Sequence, residues 1–212
     1  MSTKLDIFSD PICPWCYIGK ARLERAMEQR PDHPFVVEWH PFMLNPAMPP
    51  EGMDRRAYLQ AKFGPPDDVL KAYLPVQQAA DQDRLAMELS KITRTPSTLD
   101  AHRLIHWAGL EGRQNAVVNA LFRAYFVEGI DISVRDALET IAESCGMDRA
   151  MTARLLASDA DTQDIRARDA EIRERGLRGV PGFVIGRSYV ATGAQPSDFW
   201  VSVIDDLAKA AS

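Results

Sequence analysis

The sequence predicts an α/β domain interrupted by an inserted α-helical domain, and three observations carry that prediction. The chain opens on a strand, helix, strand pattern; it closes on a helix, hairpin, helix pattern; between them the texture changes to helices separated by Pro and Gly breakers. A βαβ unit and an αββα unit are each too small to close a core alone, so they combine into one four-stranded sheet with helices on both faces. Residues 1–45 and 161–212 then make the α/β domain, and residues 46–160 make the insertion. A length of 212 residues suits one large domain with a sizeable insertion, at about 150 residues per domain.

Each element has a local cause. Lys4 to Ser9 alternates and ends at Asp10-Pro11, a strand followed by a turn, with Asp10 expected to face solvent. From Pro14 to Arg30, Cys16, Leu23, Ala26 and Met27 share one face and charged residues the other, which makes a helix. Pro14 suits its first turn and Pro31 stops it. Phe35 to His40 is rich in β-formers, and Pro41 limits how far that strand can run inside a sheet. Asn45 to about Leu156 is punctuated by Pro49-Pro50, Gly64-Pro65-Pro66, Thr95-Pro96 and Gly129, and predicts about four or five helices. Ser97-x-x-Asp100 and Ser133-x-x-Asp136 resemble capping boxes that would start two of them. A bulky apolar face comes from Leu121, Phe122, Tyr125 and Phe126. A helix over about Asp161 to Gly176 leads to two β-runs between Val180 and Ala191 around a three-residue loop containing Gly186, a hairpin signal. Pro196 opens a last helix to about Ala210, with Phe199, Val203, Ile204 and Leu207 as its apolar face.

Composition narrows the function classes. With 46% hydrophobic and 26% charged residues, the chain is neither disordered, collagenous nor a small disulfide framework. No stretch approaches the 18 or so uninterrupted apolar residues of a membrane anchor. Lys and Arg total 25 against 30 Asp and Glu, a net charge of −5, and the basic residues are scattered, so nucleic acid and membrane are excluded as partners. Acidic residues interrupt the N-terminal apolar positions before a signal-peptide core can form, which predicts a cytoplasmic protein. In a reducing compartment three cysteines are no structural staple set, and a close pair points to catalysis or metal binding.

That pair is Cys13-Pro14-Trp15-Cys16, between a predicted strand and the start of a helix. A spacing of three puts both sulfurs on one side of the first helical turn, close enough for a disulfide. Cys13 sits at the helix N-terminus, where unpaired N–H groups and the dipole favour an anion such as a thiolate. Cys13 is therefore expected to be the exposed nucleophile and Cys16, one turn deeper, the resolving thiol. Trp15 is expected to shape the surface on which a substrate docks. No metal is expected, because zinc takes four ligands and no second C-x-x-C or nearby His supplies them. His102 and His106 have the i, i+4 spacing of a metal pair, but Arg103 stands where a metalloprotease helix carries Glu, so a structural or surface role is expected. His40 is expected to be an ordinary strand residue and Cys145 a buried small one.

The run from Ser9 to Gly19, which contains Cys13-Pro14-Trp15-Cys16, resembles the active-site entry of the disulfide-bond protein A (DsbA) superfamily, specifically its FrnE-like branch. Pro41-Phe42-Met43-Leu44-Asn45-Pro46, Thr98 to Leu104 with Leu121 to Phe126, and Gly179-Val180-Pro181 with Gly193-Ala194-Gln195-Pro196 are similar to the same branch. The resemblance implies a thioredoxin-like fold with a helical insertion and a dithiol oxidoreductase or isomerase acting on protein or small-molecule thiols and disulfides. It further implies that Pro181 is a cis-proline facing the cysteines and that Val180 offers its backbone to an extended substrate, so Pro14, Trp15, Val180 and Pro181 become substrate-site residues. Gly182, after that proline, departs from the commoner family pattern. No tightly bound cofactor is implied beyond the redox-active disulfide, with glutathione as a candidate co-substrate. Kappa-class glutathione transferases and 2-hydroxychromene-2-carboxylate isomerases share the superfamily, and Asn45, Val180 and Gln195 would line a glutathione site in that alternative. The oligomeric state is left open, a homodimer included.

Overall fold

The structure, a computed structural model, describes residues 2–210. Its main sheet has the order β2-β1-β5-β6 and draws its strands from the two ends of the chain: β1 (Thr3–Ser9), β2 (Phe35–Pro41), β5 (Gly182–Ile185) and β6 (Tyr189–Thr192). β1 pairs parallel to β2, with Ile7 opposite Trp39, and antiparallel to β5, with Ile7 opposite Phe183. Helix α1 (Pro14–Gln29) makes the crossover between β1 and β2. It packs against α9 (Ser197–Ala210), whose buried Trp200 meets Phe183 and Phe35 edge-on at centroid distances of 4.7 and 6.4 Å. Leu5, Ile7, Phe183 and Ile185 alternate onto that face and are buried.

Pro41 ends β2 at the sheet edge, where a residue without an N–H costs no ladder bond. The outward backbone of Trp39 is paired by one side chain: Gln114 Oε1 accepts from its N–H at 2.8 Å and Gln114 Nε2 donates to its carbonyl at 3.1 Å. An edge covered in this way offers no ladder to another chain at that point.

Between the halves lie six helices among the described residues, more than the four or five expected: α2 (Arg55–Phe63), α3 (Pro66–Gln82), α4 (Leu99–Leu110), α5 (Gln114–Arg123), α6 (Arg135–Ser144) and α7 (Arg149–Ala157). Gly64 and Gly146 explain the surplus, since their φ of 97° and 80° ends α2 and α6 where a periodic pattern alone reads on. Two unexpected short strands, β3 (Met53–Asp54) and β4 (Arg94–Thr95), pair antiparallel. α5 passes into a π-helical turn over Ala124–Glu128 that buries Tyr125 and Phe126. Neither expected serine cap forms: α4 has Thr98 at its N-cap and α6 has Val134, without a capping side-chain bond. Ser133 donates its hydroxyl to Asp131 at 2.6 Å instead, and Thr98 donates to Asp10 at 3.4 Å.

α8 (Thr162–Glu174) lies against β2 and α4. Arg103, 2% exposed, ties α4 to the segment before α8 by donating to the carbonyls of Leu155, Ser158 and Ala160 and pairing with Asp100. Tyr17 of α1 stacks on Phe122 and Phe126, which fixes α1 to α5 and the π-helical turn that follows it.

Candidate active site

The site begins at the turn that ends β1. Cys13 N–H donates to the Asp10 carbonyl at 2.9 Å across Pro11 and Ile12, with Pro11 in the second position where its fixed φ favours a turn. Asp10 Oδ1 also accepts from Ile12 N–H at 3.3 Å. Cys13 is then the N-cap of α1, with Pro14 in the first turn, and its carbonyl accepts from Cys16 and Tyr17. Both thiols are free, and they neighbour one another at the start of the helix.

Cys13 is 4% exposed and Cys16 1%. The sulfur expected to be exposed at Cys13 is a buried one. The cause is the loop before β5, whose Val180 carbonyl accepts from Cys13 Sγ at 3.7 Å. The Val180–Pro181 bond is cis. Gly19 lets this loop approach α1, because a Cβ there would sit 3.1 Å from Pro181 Cγ and 3.3 Å from Ala194 Cα. Gly182 has a packing reason too: a Cβ would meet Leu177 Cδ1 at 2.8 Å, so Leu177 fills the place a side chain would take. Pro14, Trp15 and Val180 are half-buried around the sulfurs, and Pro181 is buried.

Burial and the neighbouring Cys13 sulfur push the Cys16 thiol well up, while the Ser9 hydroxyl and the Asp10 backbone N–H beside it pull the other way. Sequence reasoning misplaced Asp10. It is fully buried, and its Oδ2 accepts from Leu44 N–H at 2.6 Å and from the Thr98 hydroxyl. Burial pushes its carboxyl up to about 7 against these donors, with Asp169 adding repulsion. The Pro41–Asn45 segment is held from the other side: Asp169 accepts from Met43 N–H, and Arg173 donates to the Met43 carbonyl and lies 3.9 Å over the Phe42 ring. An Asp-Pro pair reads as an exposed turn because nothing local announces the two distant segments that close over it.

His102 is buried, and burial pushes it down to about 4; its Nε2 lies 4.0 Å from Asp10 Oδ1. His106 faces Arg168 at 3.2 Å. His40 stays within β2, its Nε2 2.6 Å from Asp6, and burial holds it below its ordinary value. Asp6, Glu38 and His40 cluster within reach of one ion, but the Lys4 ammonium already bridges both carboxylates at 2.9 and 2.8 Å. Cys145 is half-buried at the C-cap of α6, not buried as expected. Asn45 Oδ1 accepts from the Tyr58 hydroxyl and its Nδ2 is buried without a partner, whereas the Gln195 amide is engaged by the Thr192 carbonyl at 2.7 Å.

A groove of about 970 Å³ starts at Gly179-Val180 and runs over the sheet face opposite α9. Phe8, Gly182, Val184 and Val190 floor it, Ile172 and Leu177 wall it, and Arg175, Arg178 and Arg187 rim it. No helix among the described residues is long and apolar enough to cross a membrane.

The chain matches the DSBA-like thioredoxin domain family over residues 4–205. The structure of a probable DsbA oxidoreductase, SCO1869 from Streptomyces coelicolor, superposes with a TM-score of 0.84 at 30% identity, covering 96% of this chain and 89% of that one. The uncharacterized protein YwbO of Bacillus subtilis (strain 168) is 27% identical over 99% of both chains. A 2-hydroxychromene-2-carboxylate isomerase of Pseudomonas putida is 23% identical over 86% of this chain and 85% of its own. The chain therefore belongs to the DSBA-like thioredoxin domain family, an α/β fold of oxidoreductase-type enzymes.

Proposed function

We propose that the protein is a thiol–disulfide oxidoreductase or isomerase that exchanges disulfides with protein or small-molecule thiols through Cys13 and Cys16. The observation that carries this reading is the placement of two free thiols on the first turn of α1, the outer one against the backbone of Val180. Cys13 attacks a substrate disulfide and keeps one half as a mixed disulfide; Cys16 attacks Cys13 Sγ and releases it. The half-buried Val180 backbone, flush with Cys13, suits an extended substrate laid beside it as an added strand, with Pro14, Trp15 and Pro181 forming the surround. In the cytosol the pair would rest as the dithiol and act as a reductase or isomerase.

Replacing Cys13 by Ser is expected to abolish insulin reduction and dithiol oxidation. Cys16→Ala is expected to accumulate a mixed disulfide at Cys13, visible by intact mass. Unchanged insulin reduction in Cys13→Ser would remove the assignment.

A glutathione-dependent isomerase or transferase is the second reading, favoured by the unpartnered Asn45 Nδ2 and by the Pseudomonas relative. It predicts that Cys16→Ala keeps most of its turnover with glutathione, whereas disulfide cycling requires that thiol.

A further inference from the structure

The main sheet has two edges, and they are finished differently. At β2 the Gln114 amide covers Trp39, and His33 Nδ1 accepts from Phe35 N–H at 3.2 Å. β6 carries no charge and no proline, and its Tyr189 and Val190 are 72% and 66% exposed. Gly193 N–H donates to the Pro181 carbonyl at 2.8 Å, and this bond sets the phase of the β5–β6 ladder. Tyr189 and Ala191, opposite Ile185 and Phe183, turn their backbones toward β5, so Val190 and Thr192 turn theirs away from the sheet. The peptide plane that aims Tyr189 N–H at β5 aims the Ser188 carbonyl outward.

Two groups along this edge are already engaged: the Thr192 carbonyl accepts from Gln195 Nε2 at 2.7 Å, and Ser188 N–H donates to the Ile185 carbonyl at 3.1 Å. Val190 N–H, Val190 C=O, Thr192 N–H and Ser188 C=O have no partner among the described residues. We propose that this edge pairs with the same edge of a second copy of the chain, antiparallel about a two-fold axis at Val190. Val190 then bonds the second copy's Val190 in both directions, and each Thr192 N–H donates to the other copy's Ser188 carbonyl. The groups that this register leaves over, Thr192 C=O and Ser188 N–H, are the two already satisfied within the protomer. An unrelated extended segment would bring an N–H opposite Thr192 and a carbonyl opposite Ser188 that find no partner in the ladder, which favours a second copy. The side chains fit as well. Val190 meets its own copy on the groove face, exposed Tyr189 stands opposite the small, buried Ala191, and Arg187 falls opposite Gly193, so no like charges oppose. A two-fold along the sheet normal keeps both grooves on one face, where they join at Val190 and are rimmed by the arginines of both copies. Because the axis reverses strand direction, the two cysteine pairs lie toward opposite ends of the joined sheet.

Sedimentation equilibrium of the full chain reads the association. The wild type is expected to pass reversibly from 23.7 kDa toward twice that mass as concentration rises. Val190→Lys, which sets two ammonium groups against each other across the axis, should weaken the association constant by about tenfold or more. Hydrogen exchange at Val190 and Thr192 should slow with rising protein concentration, while Tyr189 and Ala191, already bonded to β5, should not respond. Under oxidation Val190→Cys should cross-link position 190 of two copies, because residues facing each other in such a pair have Cα atoms about 5.5 Å apart. Thr192→Cys should not, and peptide mapping separates either link from those through the three native cysteines. A wild type that stays monomeric, or a dimer as tight in Val190→Lys as in the wild type, overturns the proposal. Cross-linking at 192 in preference to 190 overturns it too. So does protection of Val190 and Thr192 that follows an added cysteine peptide and not protein concentration, which gives the edge to a substrate instead.

Discussion

At the scale of single residues, Asp10 is the most consequential side chain the sequence did not reveal. One carboxylate closes the turn that presents Cys13, through Ile12 N–H, and anchors Leu44 and Thr98 from distant parts of the chain. Its ionisation sets a pH dependence with a definite sign. Because the folded carboxyl titrates at about 7 instead of 3.8, the native state binds a proton that the unfolded chain has released over that interval. Its contribution to stability is complete below about pH 4 and is lost as pH rises to about 7, a change of about 4 kcal/mol at most. His102 acts in the opposite sense: pushed down to about 4, it costs stability as pH falls below its unfolded value. Comparing wild type with Asp10→Asn cancels the histidine. The variant is expected to gain on wild type in thermal midpoint between pH 5 and pH 8, and an offset that does not vary with pH would contradict it. Cys13, Cys16 and the spacing between them were legible in the chain; Asp10's burial was not, since an Asx-turn and a buried hub begin with the same two letters.

At the scale of elements, the position of the loop before β5 against α1 decides whether the two halves of the site meet. Gly19 is the contact point, with Pro181 and Ala194 close enough that a side chain there would push them back by a few tenths of an ångström or more. Gly19→Val is expected to cost about 1–3 kcal/mol by overpacking. Displacing Val180 from Cys13 should also slow Cys13 exchange with a peptide disulfide by about tenfold or more. Denaturant unfolding and stopped-flow exchange check the two effects separately, and a variant with wild-type exchange would show that this contact does not position the loop. The start of α1 was legible because Pro14 and the capping position act locally. The starts of α4 and α6 were not, because Thr98 and Ser133 spend their neighbourhoods on tertiary or loop partners: the Thr98 hydroxyl turns to Asp10 on the β1 turn, and the Ser133 hydroxyl to Asp131.

At the scale of the whole molecule, a chain of net charge −5 gathers three arginines around one groove that starts at Val180, beside Cys13. Arg175 pairs with Glu171, and neither Arg178 nor Arg187 has an ion-pair partner among the described residues. On a chain of net negative charge, this field should favour thiol partners with acidic and apolar residues flanking the cysteine. The rate with an acidic cysteine peptide is expected to fall as ionic strength rises, and Arg178→Glu with Arg187→Glu should invert the preference over a basic peptide. Equal rates for both peptides in the wild type would refute it. The sequence by itself determined the α/β class, the four strands of the main sheet, helix α1 and the cysteine pair at its start, because alternation, helical periodicity and proline placement act over a few residues. Only the tertiary structure decided that Asp10 is buried beside His102, that Ser9 lies against Cys16, that Cys13 lies under the Val180 carbonyl, and that three arginines rim one groove. Those contacts join segments up to 167 residues apart, and their energies come from desolvation and packing that exist only once the chain has closed.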